Sequence, residues 1–103
     1  LGNLHVDLMR AATGADLAFH NRTGIRGDIG RGAVRWRDVY GVAPFGNTVV
    51  TMKLAGADVK ALLERMLGKS SMLLEVGGAV VLCDPSRPEG ERVVECMVGG
   101  APL

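Results

Sequence analysis

Glycine punctuates this chain at close intervals: Gly14, Gly41, Gly68 and the pair Gly99-Gly100 each close a periodic or apolar segment, so only short elements fit between them. The longest nearly apolar run, residues 76–83, contains eight residues, two of them glycine. A membrane helix needs about 20 apolar residues, so no membrane insertion is expected. At 103 residues, 48% hydrophobic and 22% charged, the chain suits one compact domain rather than a disordered segment.

Between the glycines the hydrophobic pattern changes period. Leu4, Leu8, Ala11 and Ala12 recur at helical spacing, predicting a helix over residues 3–12 with Gly14 as its left-handed C-cap. Residues 17–20 suit a strand, and a glycine-rich loop follows over 21–32. Residues 33–36 read as a brief strand before a helical turn at 37–40, and residues 48–54, dense in β-branched side chains, read as another strand. Val59, Leu62, Leu63, Met66 and Leu67 mark a helix over 57–67 with Gly68 as its stop, and strands are expected at 72–76, 79–82 and 93–98. Helices and strands without a regular βαβ rhythm indicate an α+β fold, a mixed β-sheet packed with two main helices.

Twelve basic and eleven acidic residues are interspersed, giving a net charge of +1, which argues against a nonspecific grip on nucleic acid. Cys83 and Cys96 form no CxxC and lack histidine at ligand spacing, so buried free thiols are favoured over a zinc site, with a cross-hairpin pair as the alternative. His5 and His20 are far apart in sequence and lie in no metal or nucleophile motif; the default is one on a helix face and one at a strand end. No catalytic constellation and no metal or cofactor site is expected in this chain.

Two loops stand out chemically. Asn21-Arg22-Thr23-Gly24-Ile25-Arg26 groups an amide, a hydroxyl and two guanidinium groups after a strand, a set able to bind ribose hydroxyls and a phosphate. The plainer alternative is a strand exit in which Asn21 caps a turn and the arginines are solvated. Arg26-Gly27-Asp28 spells an integrin-type tripeptide, too short to carry a reading. Pro44-Phe45-Gly46-Asn47 puts an aromatic ring on a turn with an amide two residues on, suited to stacking on a base and reading its edge, unless Phe45 folds back into the core.

These two loops, with Leu1-Gly2-Asn3-Leu4, Asp7, Met9-Arg10, Thr13-Gly14-Ala15-Asp16, Asp38-Val39, Leu54-Ala55-Gly56-Ala57, Val76-Gly77-Gly78, Asp84 and Gly99-Gly100-Ala101-Pro102-Leu103, resemble in order and spacing the C-terminal domain of the 5′-nucleotidase family. The resemblance covers essentially the whole chain. It implies that residues 1–103 are the substrate-binding domain, truncated at both ends, of a periplasmic or secreted phosphohydrolase. The parent's two divalent metal ions would sit in an N-terminal metallophosphoesterase domain, a partner outside this chain, so the 103 residues alone are expected to be inactive.

Carried over by residue, Phe45 would stack on the base, Asn47 would make a base-edge or nearby polar contact, Asn21 a ribose or phosphate contact, and Arg26 a phosphate clamp. Arg22 and Thr23 depart from the family's Asn-Gly-Gly-Gly-Ile-Arg pattern, adding side chains where backbone normally faces the ligand. The family's second stacking aromatic, its ribose-binding Asp and an upstream supporting Arg have no counterpart here. The alternatives are a sister hydrolase, such as a thiosulfohydrolase or a cyclic-nucleotide phosphodiesterase, and a noncatalytic binding module.

Overall fold

The computed structural model describes residues 1–67 and 73–103. In chain order the elements are α1 (Gly2–Thr13), β1 (Ala18–Asn21), a short 3-10 turn (Arg22–Gly24), α2 (Trp36–Val42), α3 (Gly56–Met66), β2 (Leu74–Gly77), β3 (Ala79–Cys83), β4 (Val93–Val98) and β5 (Ala101–Pro102). The α+β class is as the sequence indicates. The strands divide into two antiparallel sheets, β1-β2 and β3-β4-β5.

The small sheet has a distinct environment on each face, because alternate side chains of a strand point to opposite sides. Ala18 pairs with Gly77 and His20 with Glu75 across β1 and β2. This face meets α1: Val6 is fully buried, and a Cβ on Gly77 would fall 2.9 Å from Val6 Cγ2, so the missing side chain is what lets the helix approach. On the other face, Phe19 and Val76 pack against the core formed by Val59, Leu63, Leu67, Val93 and Cys96. Val59, Leu63 and Leu67 recur every fourth residue, which puts them on one side of α3 facing β4. Full burial of one such side chain stabilises the fold by about 1.5–3 kcal/mol.

The helix ends follow the local chemistry. Gly14 has φ of 70° and donates its N–H to the Arg10 carbonyl at 2.7 Å, the expected left-handed cap, while Thr13 Oγ1 donates to the Met9 carbonyl at 2.8 Å. Asp38 Oδ2 accepts the Arg35 N–H at 2.8 Å and fixes the start of α2. Gly68, expected to stop α3, and Met72, expected to open β2, lie outside the described residues.

Two expected strands do not form. Residues 33–35 are irregular, and Trp36, expected to end a strand, is the first residue of α2 and 81% exposed. Residues 48–54 are likewise outside any strand, with Val49, Val50, Met52 and Leu54 exposed. The reason is shared. β-branched residues favour an extended backbone, but a strand also needs a neighbour to complete its ladder, and among the described residues no backbone of 44–54 joins one.

Candidate functional site

β1 delivers Asn21 to the start of the 3-10 turn, and the turn organises the loop with its own polar groups. Asn21 Nδ2 donates to Thr23 Oγ1 at 2.9 Å, Arg26 Nη1 donates to the Thr23 carbonyl at 3.4 Å, and the Ile25 N–H donates to the Arg22 carbonyl at 3.1 Å. Asn21 and Arg26 are thus brought together about Thr23, both exposed. Thr23, which departs from glycine in the family pattern, is the acceptor that joins them.

Arg22, the other departure, turns toward the sheet: its Nε pairs with Glu75 Oε1 of β2 at 3.0 Å, and its backbone N–H donates to the Leu73 carbonyl at 3.1 Å. Gly24, the last residue of the turn, is buried. A Cβ there would collide with Cε1 of His20 and lie 3.2 Å from Asn21 Oδ1, so His20 fills the space behind the loop. His20 and Glu75 are absent from the set of site residues that the sequence suggests. The signal that could have found His20 is the alternation of β1, which turns it away from the core-facing Phe19.

The second loop begins where α2 ends. The Arg26 N–H donates to the Val42 carbonyl at 2.8 Å, and a Cβ on Gly27 would touch the Gly41 carbonyl at 3.6 Å, so the first loop runs along the C-terminal end of α2. Three residues past Val42, Phe45 is 52% exposed rather than folded into the core, and Asn47 is exposed as well. The Arg26–Val42 bond therefore ties the loop of amide and guanidinium groups to the C-terminal end of α2, three residues before the open ring of Phe45, in a segment that forms no regular turn; no hydrogen bond among the described residues links Phe45 or Asn47 to Asn21 or Arg26.

His5, on the α1 side of this loop, is perturbed by burial. Desolvation holds the His5 imidazole below its ordinary value of about 6.5, and the neighbouring His20 adds to the effect. Among the described residues no group of three or more His, Cys, Asp or Glu is placed to hold a metal ion. A shallow depression lined by Ala61, Glu64, Arg65, Glu89 and Gly90 contains none of the four candidate residues. No helix among the described residues is long and apolar enough to cross a membrane.

A family profile described as "5'-nucleotidase, C-terminal domain" matches residues 1–103. A solved structure described as a 5'-nucleotidase precursor from Thermus thermophilus aligns over 99% of this chain and 22% of that one, with a TM-score of 0.85 and 37% sequence identity. Trifunctional nucleotide phosphoesterase protein YfkN of Bacillus subtilis is 33% identical over 106 residues, 95% of this chain and 7% of that protein. Cell wall protein Lmo0130 of Listeria monocytogenes is 31% identical over 90 residues, 76% of this chain and 12% of that protein. The chain thus corresponds to a small part of each of these proteins.

Proposed function

The chain belongs to the 5′-nucleotidase family as its C-terminal domain, and from that premise we propose that it holds the nucleotide substrate of a larger metal-dependent phosphohydrolase. The observation that carries the reading is the Arg26–Val42 backbone bond of 2.8 Å, which ties the anion- and ribose-type donors of the first loop to the end of α2, three residues before Phe45. Phe45 offers a face for a base, and Asn47 an amide for its edge. Asn21 offers donors and an acceptor to ribose or phosphate, and Arg26 a guanidinium fork for phosphate oxygens.

On this reading the chain positions and does not cleave. Holding the nucleoside fixes the phosphate ester where the N-terminal metallophosphoesterase domain can act on it, turning a chance encounter into an oriented one. Two divalent ions bound by that other domain would polarise the phosphoryl group and activate the attacking water. The 103 residues alone are therefore expected to give no phosphate release from AMP. A periplasmic or secreted parent is in keeping with a relative named as a cell wall protein.

The test is an equilibrium titration of the full-length protein carrying this chain with AMP, cyclic nucleotides and thiosulfate. Phe45→Ala is expected to weaken AMP binding by roughly 1–3 kcal/mol, the usual loss for one base–aromatic stack. Unchanged affinity in that variant would sink the stacking role. Preference for cyclic nucleotides or thiosulfate would move the chain to a sister hydrolase, and binding of none of them would leave a noncatalytic module.

A further inference from the structure

His5 and His20 come together across the α1–β1 contact, with ring centroids 4.1 Å apart and planes at 48°. The pair sits directly behind the candidate loop. His20 Cε1 occupies the space that a Gly24 side chain would need, and Gly24 is flanked by Thr23 and Ile25 within the turn that joins Asn21 to Arg26. His20 is followed at once by Asn21, so a shift of this ring moves both the start of the loop and its buried centre.

The environment favours an uncharged His5. His20 Nδ1 is buried and has no hydrogen-bond partner among the described residues, so this ring is held by packing rather than by a polar anchor that could share a charge on His5. Two imidazolium rings at this separation would repel each other at close range. Glu75 stands opposite His20 on β2, where its carboxylate could offset such a charge, but its Oε1 is engaged by Arg22 at 3.0 Å. From α1, Arg10 lies farther along, against Gly78 at the end of β2. The 3-10 turn contributes only the cation Arg22. Burial and the adjacent ring lower the His5 pKa, in agreement with this geometry.

We propose that His20, braced by His5, is a positioning residue for the nucleotide-binding loop, holding Asn21 and Arg26 in place while His5 is neutral and releasing them when His5 takes up a proton. This rests on the nucleotide reading above for its consequence, though not for the loop's behaviour. It adds a residue pair that touches no ligand and acts through Gly24.

Hydrogen exchange of residues 18–26 in the full-length protein, corrected for the intrinsic pH dependence of exchange, separates the two. In the wild type, exchange there is expected to be level from pH 7.5 down to the ordinary histidine value of about 6.5 and to speed up as pH falls further to 5.5, by up to about tenfold per pH unit, the slope set by one linked proton. AMP affinity should fall in parallel. His5→Phe keeps a ring against His20 but cannot titrate, and should flatten both slopes; His5→Gln should do the same if the phenyl ring does not fit. A wild-type exchange rate independent of pH, or an unchanged slope in a folded His5 variant, would overturn the proposal. Intact pH-dependent exchange with no AMP binding at any pH would uphold the positioning role and refute the nucleotide reading instead.

Discussion

Glu64 and Val93 are joined by the shortest buried polar contact described between separate elements: Oε1 of the carboxylate accepts the Val93 N–H at 2.6 Å. Its second oxygen, Oε2, accepts the Arg92 N–H at 3.0 Å, so one side chain of α3 satisfies two consecutive amides at the start of β4. Arg92 completes the clamp by donating from Nη1 to the Leu67 carbonyl at 3.3 Å. A buried carboxylate is tolerated in the core because backbone donors replace water.

Replacing Glu64 should therefore cost more than a surface change. Glu64→Ala strands the Val93 N–H in the core, and loss of a charge-assisted hydrogen bond with a buried donor left over costs about 1.5–3 kcal/mol. Glu64→Gln keeps one carbonyl acceptor but sets an NH2 group against the other amide, so its cost should be of the same sign and smaller. Urea unfolding with unchanged m-value would check both, and an Ala variant as stable as the wild type would remove the clamp's role.

Gly78 should tolerate no side chain. Its φ of 84° is a conformation that L residues rarely adopt, and a Cβ would run into the Asp16 carbonyl oxygen and approach Arg10 Nε at 2.6 Å. Strain at positive φ alone costs about 1 kcal/mol or more, and the Asp16 contact is backbone, which cannot rotate aside. Gly78→Ala is expected to lower the melting temperature, whereas Gly90→Ala, at φ of 91° with nothing within 4 Å, should show only the conformational part.

Cys83 and Cys96 are free thiols on adjacent strands. Burial pushes both above the ordinary thiol range, and for Cys83 the Glu64 carboxylate adds to the shift, with Cys96 behind it. Because the thiolate is the reactive form, both should alkylate more slowly than free cysteine at pH 8. Mass-spectrometric labelling rates would show it. Labelling of Cys83 as fast as free cysteine would mean that its strand opens readily.

Elements whose residue spacing matches their burial are legible in the sequence. The stripe of α3, the Gly14 cap and the alternation in β3 each express such a local pattern. Residues 33–36 and 48–54 mislead because propensity describes the backbone one residue at a time, while a strand depends on a second segment. The site divides in the same way. Asn21, Arg26, Phe45 and Asn47 are candidates by their chemistry alone, and of these the loop residues Asn21 and Arg26 meet about Thr23. His20, Glu75 and the Val42 carbonyl escape a reading of the sequence because they serve the loop through space: His20 behind Gly24, Glu75 across the sheet, Val42 at the end of another helix.

Arg22 illustrates how little a visible ion pair contributes to stability. The Arg22 side chain is 55% exposed although Glu75 is only 22% exposed, which puts the pair near the top of the range of about 0–1 kcal/mol that surface pairs contribute. Arg22→Ala should leave the melting temperature nearly unchanged. It frees Glu75 beside the ring pair, however, giving a charge on His5 a carboxylate to face, so the pH at which residues 18–26 loosen should move. A movement in pH profile without a change in stability at neutral pH separates these two roles of one side chain.

Stability should fall with acidity in two separate stages, because two perturbed groups report on different parts of the fold. His5 has a folded-state value below its ordinary one near 6.5, so the unfolded chain binds the proton first. Its contribution is fully present above that ordinary value and is lost as pH falls toward the lowered one. Asp84 is held below its ordinary 3.8 by the Ser86 hydroxyl and Ser86 N–H, with Arg87 assisting; Oδ1 accepts from Ser86 Oγ at 2.6 Å and from the Ser86 N–H at 3.0 Å. That contribution is present above 3.8 and is lost as pH falls through the lowered value. Urea midpoints measured from pH 8 to pH 3 should bend first as pH falls below about 6.5 and again in the carboxylate range. His5→Phe should remove the first bend alone, and Asp84→Asn the second alone. A single bend abolished by either variant would mean that the α1–β1 layer and the turn after β3 are not independent.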